Sequence, residues 1–280
     1  MNTAIPKDIS AANKNEAATR PTLFVIKIGG NVVDDETNLS SFLKDFASIA
    51  ERKILVHGGG KIASRIGEQM GIQPNYINGR RITDEATINL VTMVYGGLVN
   101  KKIVAKLQAL QCNAIGLTGA DANIIPATKR PVKEIDYGMV GDINEQVDRG
   151  KLNLLLENDL VPVIAPLTHD GAGQMLNTNA DTIASALAVS LSQSHEVRLI
   201  YCFEKKGVLE NVADEHSVIT LITKPVYERL IADKKLFDGI LPKIDNAFAA
   251  INNGVKEVLI GDASDLLQNV TTDTKGTLIK

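Results

Sequence analysis

The chain has 280 residues, 44% of them hydrophobic and 22% charged, and a formal net charge of −3. That length supports one large domain or two modest ones, and the near-balanced charge argues against a general nucleic-acid or membrane role, so any positive site must be local. No apolar run approaches the roughly 18 residues needed to span a bilayer. The two cysteines, Cys112 and Cys202, lie far apart in apolar runs, and the four histidines lack metal-ligand spacing. Buried thiols in a reducing, cytoplasmic setting, and no protein metal site, follow as expectations.

Residues 1–20 are polar and alanine-rich, with Pro6, Asp8 and Glu16, and read as a flexible tail rather than a signal peptide. Beyond them, short apolar runs alternate with helical patterns. A strand at 22–28 ends in Lys27-Ile28-Gly29-Gly30 and is followed by a helix at 38–50. A second strand at 53–57 ends in His57-Gly58-Gly59-Gly60 and runs into a helix at 60–70. Asn78-Gly79 marks a turn before Arg80-Arg81, and Thr83 or Asp84 can cap a long helix at 84–110. A strand at 113–117 precedes the stretch 119–145, whose glycines, prolines and short β-prone pieces suggest a hairpin excursion. Next come a helix at 146–158 and a strand at 160–165, then Asn177-Thr178-Asn179-Ala180-Asp181 at the start of a helix at 180–192. The remaining elements are strands at 197–202 and 256–260 and helices at 224–233 and 242–252. Such alternation predicts an α/β three-layer sandwich with a mainly parallel central sheet covered on both faces. The polar segment 190–196 marks a boundary between a lobe at 21–190 and one at 191–280.

Glycine clusters after apolar strands let the backbone approach an anion, and a lysine on the strand adds a mobile charge over the cradle. Two such loops beside Lys27 suggest a site for a polyanion undergoing chemistry. Rival readings exist. Gly58 to Ala63 matches G-x-G-x-x-A, and His57 to Gly60 resembles a lipase oxyanion loop, but there is no G-x-S-x-G elbow and no G-x-x-x-x-G-K-[ST] P-loop. Two tight strand-to-helix turns would also explain the glycines. An arginine held by the Asn78-Gly79 turn could clamp a carboxylate bidentately. In Phe237-Asp238-Gly239-Ile240-Leu241-Pro242-Lys243, Pro242 suits a first helical turn, which puts Lys243 at the positive end of the dipole. A lysine there is misplaced unless an anion joins it.

In this order, the K-x-G-G at Lys27, H-G-G-G at His57, N-G-x-R at Asn78–Arg81, N-x-N-A-D at Asn177–Asp181 and D-G-x-x-x-K at Asp238–Lys243 resemble the amino-acid kinase superfamily. The closing Gly276-Thr277-Leu278-Ile279 belongs to the same pattern. The N-G-x-R and N-x-N-A-D pair resembles the branch that phosphorylates the γ-carboxylate of N-acylated glutamate, N-acetyl-L-glutamate above all, for arginine biosynthesis.

That resemblance implies ATP with Mg2+ held mainly by the nucleotide phosphates. It implies catalytic roles for Lys27, Lys243 and Asp181, with Asp181 holding both lysines in place. Gly59, Gly60, Arg81 and Asn177 would bind the amino acid. Gly29, Gly30, Glu204, Gly207, Asp238 and Gly239 would meet the nucleotide. Phe203-Glu204 departs from the family's Ser/Thr-Asp, which places Glu204 in the aspartate's role and removes a hydroxyl. Arg80 stands where relatives often have an apolar residue; it could meet an extra carboxylate, such as a succinyl group's, or simply be solvated. Another small-molecule kinase of the superfamily, a catalytically inactive nucleotide-binding relative and a dinucleotide-dependent oxidoreductase are the alternative readings. The resemblance further implies a homodimer, for which the face of helix 84–110 that carries Ile88, Val91, Leu98 and Val99 is the candidate surface, although burial within the monomer would explain these residues equally well. Residues 1–20 lack the continuous apolar stripe with which arginine-sensitive relatives build hexamers.

Overall fold

The computed structural model describes residues 20–143, 147–211, 213–233, 235–236 and 240–280. Of the expected tail at 1–20, residues 1–19 lie outside the described residues, as do Asp238 and Gly239. In chain order the first half comprises β1 (Thr22–Ile28), α1 (Gly30–Asp34), α2 (Glu36–Ser48), β2 (Arg52–His57), α3 (Gly60–Gln69), β3 (Tyr76–Ile77), β4 (Arg80–Arg81) and α4 (Glu85–Val91). A π-helix (Thr92–Val99), α5 (Asn100–Ala109), β5 (Ala114–Leu117), β6 (Thr128–Lys129) and β7 (Gly141–Asp142) follow. Then come α6 (Arg149–Glu157), β8 (Val161–Ile164), β9 (Leu167–His169), β10 (Met175–Asn177), α7 (Ala180–Leu191) and β11 (Glu196–Phe203). The chain finishes with β12 (Leu221–Ile222), α8 (Lys224–Ala232), α9 (Leu241–Asn252), β13 (Glu257–Asp262), α10 (Leu266–Asn269) and β14 (Thr277–Ile279).

One eight-stranded sheet runs in the order β12-β14-β13-β11-β1-β2-β8-β5. Its pairings are parallel except β13 with β14. Because parallel strands are connected through helices, both faces are covered and both faces of each strand are apolar. Along β1, Leu23 and Val25 enter one core with Ile183 and Leu187 of α7 and Ile244 and Ala247 of α9. Phe24, Ile26 and Ile28 enter the other, with Phe42 of α2, Ile88 of α4, Tyr95 of the π-helix and Ile103 of α5. The three-layer α/β expectation therefore holds.

Two features differ from the sequence reading. The helix expected at 84–110 is helical throughout its middle, but residues 92–99 are π-helical, and Asn100 N–H reaches back to Tyr95 O. The widened register falls where Gly96-Gly97 relax the backbone, and π segments concentrate at functional sites. The second difference is the set of two- and three-residue strands, β9, β10, β12 and β14, which are too short to show a period of two. Within the 119–145 excursion, β6 pairs antiparallel with β7.

Candidate active site

Parity along β1 decides the first contact. Lys27 shares its face with Leu23 and Val25, toward α7, and is 8% exposed. Asn179 caps α7, its side-chain oxygen accepting from Asp181 N (2.8 Å) and Thr182 N (3.1 Å). That cap sets Asp181 in the first turn, where a carboxylate suits the dipole. Lys27 Nζ then lies 2.7 Å from Asp181 Oδ1.

Lys243 stands in the first turn of α9 beside Pro242, on the same side of the sheet. It is half-buried. Burial, the largest influence, pushes its pKa down, Asp181 pulls it up and Lys27 pushes it further down. Lys27, Asp181 and Lys243 line one cavity of about 650 Å³ together with Gly29, Gly30, Gly58, Gly59 and Gly60. The cavity opens at the carboxyl ends of β1, β2, β11 and β13, beside the point where the chain moves from β1 to β2 on one side while β11 pairs on the other. Open α/β sheets bind ligands at such a place.

The two glycine loops are joined, since Gly58 N donates to Ile28 O at 3.1 Å. Gly59 has φ +152°, and a Cβ there would come within 3.1 Å of the Tyr95 ring, so glycine is required. His57 faces the opposite core and is fully buried. Asn100 Nδ2 donates to His57 Nε2 (3.1 Å) and to Val163 O (2.9 Å), leaving His57 Nδ1–H to donate to Gly58 O (2.7 Å). Burial, opposed by that last hydrogen bond, pushes the His57 pKa down to about 4. The ring is thus a neutral clamp on the loop, and the π-helix ends where Asn100 must stand to hold it.

On β4, adjacent arginines face opposite sides. Arg81 is 8% exposed; its guanidinium donates to Gly60 O (3.0 Å), Ser64 Oγ (2.8 Å) and the Tyr76 hydroxyl, and stacks 4.7 Å from the Tyr76 ring. Among the described residues no carboxylate pairs with Arg81. Arg80 instead lines a separate cavity with Arg130, Lys133, Tyr137 and Asp142, so it does not stand beside Arg81's ligand side. Asn177 Nδ2 donates to Thr83 Oγ1 (3.1 Å), tying β10 to the segment after β4. Arg81 and Asn177 do not line the main cavity themselves; Tyr76 and Gly60 connect Arg81 to it. Glu204 and Gly207 line it, and a Cβ on Gly207 would strike Thr277 Oγ1 at 2.6 Å, so this glycine also serves packing.

Sequence reasoning passed over Lys61, Asn31 and Tyr76 as lining residues. Lys61 lies in the first turn of α3, and Asn31 Oδ1 accepts from its ammonium. The dipole argument that singled out Lys243 applies equally to Lys61 and would have found it. Phe203, noted in the sequence only for its missing hydroxyl, also lines the cavity. Cys112 and Cys202 are free and buried, as expected.

The amino acid kinase family model matches residues 22–262. Acetylglutamate kinase of Cytophaga hutchinsonii is 55% identical over 258 residues, covering 90% of this chain and 97% of that protein. Acetylglutamate kinase of Bacteroides thetaiotaomicron is 55% identical over 261 residues, covering 93% and 99%. Among solved structures, N-acetylglutamate synthase from Neisseria gonorrhoeae, complexed with coenzyme A and N-acetyl-glutamate, aligns with a TM-score of 0.78 at 23% identity. It covers 93% of this chain, which spans 60% of that one, and at this identity the likeness bears on the fold. With its matched motifs, parallel sheet and relatives at more than half identity, the chain belongs to the amino acid kinase family, in its acetylglutamate kinase branch.

Proposed function

We propose that this chain transfers the γ-phosphoryl group of ATP to the γ-carboxylate of an N-acyl-L-glutamate, N-acetyl-L-glutamate above all, giving an acyl phosphate and ADP for arginine biosynthesis. The observation that carries the reading is the meeting of Lys27, Asp181 and Lys243 with both glycine loops in one cavity. The γ-carboxylate, with a pKa of about 4.3, is already ionised at neutral pH, so no general base is required. The task is to bring two anions together and to stabilise charge on the phosphoryl group in flight.

Lys27 and Lys243 act on that charge, and Asp181 keeps Lys27 aimed and offsets part of the repulsion between the lysines. Gly29 and Gly30 face the phosphates. Gly59 and Gly60, with Arg81 and Asn177, hold the amino acid, and the Arg81 guanidinium, which pairs with no carboxylate among the described residues, suits its α-carboxylate. Glu204 and Gly207, with Asp238 and Gly239, take the nucleotide. The cavity's donors are mainly cationic, with Asp181 and Glu204 as its carboxylates. That set fits Mg2+ carried on the nucleotide's own phosphates, whose charge it neutralises.

The lobe at 21–190 takes the amino acid and the one at 191–280 the nucleotide, in a cytoplasmic homodimer. Support for the dimer is the outer face of the π-helix. Ile88, Val91 and Val99 turn into the core, whereas Met93 and Leu98 are 53% and 51% exposed beside Gly97. The test is ADP release, expected only when ATP and N-acetylglutamate are supplied together. Release with ATP and a different carboxylate or carbamate alone would move the chain to another branch.

A further inference from the structure

Of the four lysines that line the cavity, Lys27 and Lys243 converge on Phe203, and one carboxylate pairs with one of these two. Lys27 has Asp181 at 2.7 Å. Among the described residues, Lys243 Nζ has no hydrogen bond or ion pair. What it meets is the face of Phe203, 3.6 Å from the ring centroid, while Lys27 Nζ lies 5.0 Å from the same centroid. Phe203 closes β11 on the parity of Val197, Leu199 and Tyr201, the face shared with Lys27, α7 and α9. Its ring stacks on Tyr201 with centroids 6.1 Å apart and planes 19° from parallel. The ring is therefore fixed from behind and presents its face to both ammonium groups.

An aromatic face carries negative potential and attracts a desolvated cation. It does so without a full charge, so it does not compete with an arriving phosphate as a second carboxylate would. A free lysine side chain carries substantial rotamer entropy, part of which a parking place removes before the ligand arrives. We propose that Phe203 is a positioning residue for Lys243: its ring holds the ammonium, protonated and oriented, at the cavity wall and releases it to the transferring phosphoryl group. The charged groups facing this point are Lys27 from β1, Asp181 from α7, Lys61 from α3, and Glu204 and Lys205 beyond β11. Burial lowers the Lys243 pKa, so the ring works against loss of the proton. This inference rests on the kinase reading.

The experiment compares full-length wild type with Phe203→Leu, Phe203→Met and Phe203→Tyr. Steady-state kinetics are combined with NMR of 13C-methylated lysines, the Lys243 signal being assigned by its loss in Lys243→Arg. In wild type the Lys243 methyl signal is expected upfield from the ring current; a signal at the position of solvated lysines overturns the proposal without any variant. Loss of the ring in the Leu and Met variants is expected to lower kcat about threefold to thirtyfold with KM values little changed. Both the Lys243 titration and the basic limb of kcat should move to lower pH, and Phe203→Tyr should restore both. An unshifted titration in Phe203→Leu or Phe203→Met contradicts the proposal. Absence of turnover in wild type would instead contradict the kinase reading, while the NMR arm still reports on Phe203.

Discussion

Lys27 and Asp181 are 154 positions apart in the chain (181 − 27), yet their charged atoms stand 2.7 Å apart. The strand's period of two aims the lysine at α7, and the Asn179 cap brings the carboxylate to meet it. Neither group is placed by a loop, so the pair has little freedom to drift. Alanine at Lys27 or at Lys243 is expected to reduce kcat roughly a hundredfold or more, with much smaller changes in either KM. Asp181→Asn should lower kcat as well, because it leaves Lys27 buried without a counter-charge. Steady-state kinetics check these; a change confined to KM would mean that the lysines only bind.

The sheet and its helices were legible because they rest on long, periodic segments, whereas the pairing of Lys27 with Asp181 was implied only by the family resemblance. The strand at 22–28 and the helix at 180–192 each show their period over several residues, and both appear within a residue of the expected bounds. The π-helix was not legible: residues 92–99 keep a helical composition, and the extra residue per turn shows only when Tyr95 and Asn100 are seen beneath the loop. Phe203 was read as a missing hydroxyl rather than as a ring, since its meaning depends on two lysines distant in sequence. Arg80 and Arg81 looked alike as neighbours, and only the alternation of β4 sends Arg80 to a separate cavity and Arg81 to Gly60 and Tyr76.

Arg81→Ala is expected to raise the KM for the acylglutamate at least tenfold, because a charge-assisted contact to a carboxylate is worth about 1.5–3 kcal/mol. The KM for ATP should stay within about twofold. If only the ATP constant moved, Arg81 would belong to the nucleotide side.

His57 gives a pH signature. Its folded-state pKa is depressed to about 4 from 6.5, chiefly by burial. The unfolded chain therefore binds the extra proton first, so the stability linked to the neutral ring is complete above 6.5 and is lost as pH falls toward 4. Between pH 7 and pH 5 that loss is on the order of 2 kcal/mol. Urea denaturation at both pH values should show the stability gap between wild type and His57→Asn narrowing by about this amount. A gap independent of pH would mean that His57 is not held neutral.

The dimer has a direct check. Static light scattering should give two chain masses for wild type, with or without arginine, and one for the double variant Met93→Glu, Leu98→Glu. Both side chains are more than half exposed, so the folded monomer should tolerate the change. A wild-type mass of six chains, or activity suppressed by millimolar arginine, would contradict the expectation.

The most direct measurement is trapping of the product. Hydroxylamine converts an acyl phosphate to a hydroxamate, which is read by its ferric complex and by mass. With ATP, Mg2+ and N-acetyl-L-glutamate, wild type should form N-acetylglutamate γ-hydroxamate in step with ADP, and Lys27→Ala should form almost none. ADP release without hydroxamate, or hydroxamate from another carboxylate in preference to an N-acylglutamate, would contradict the assignment of the γ-carboxylate as the phosphoryl acceptor.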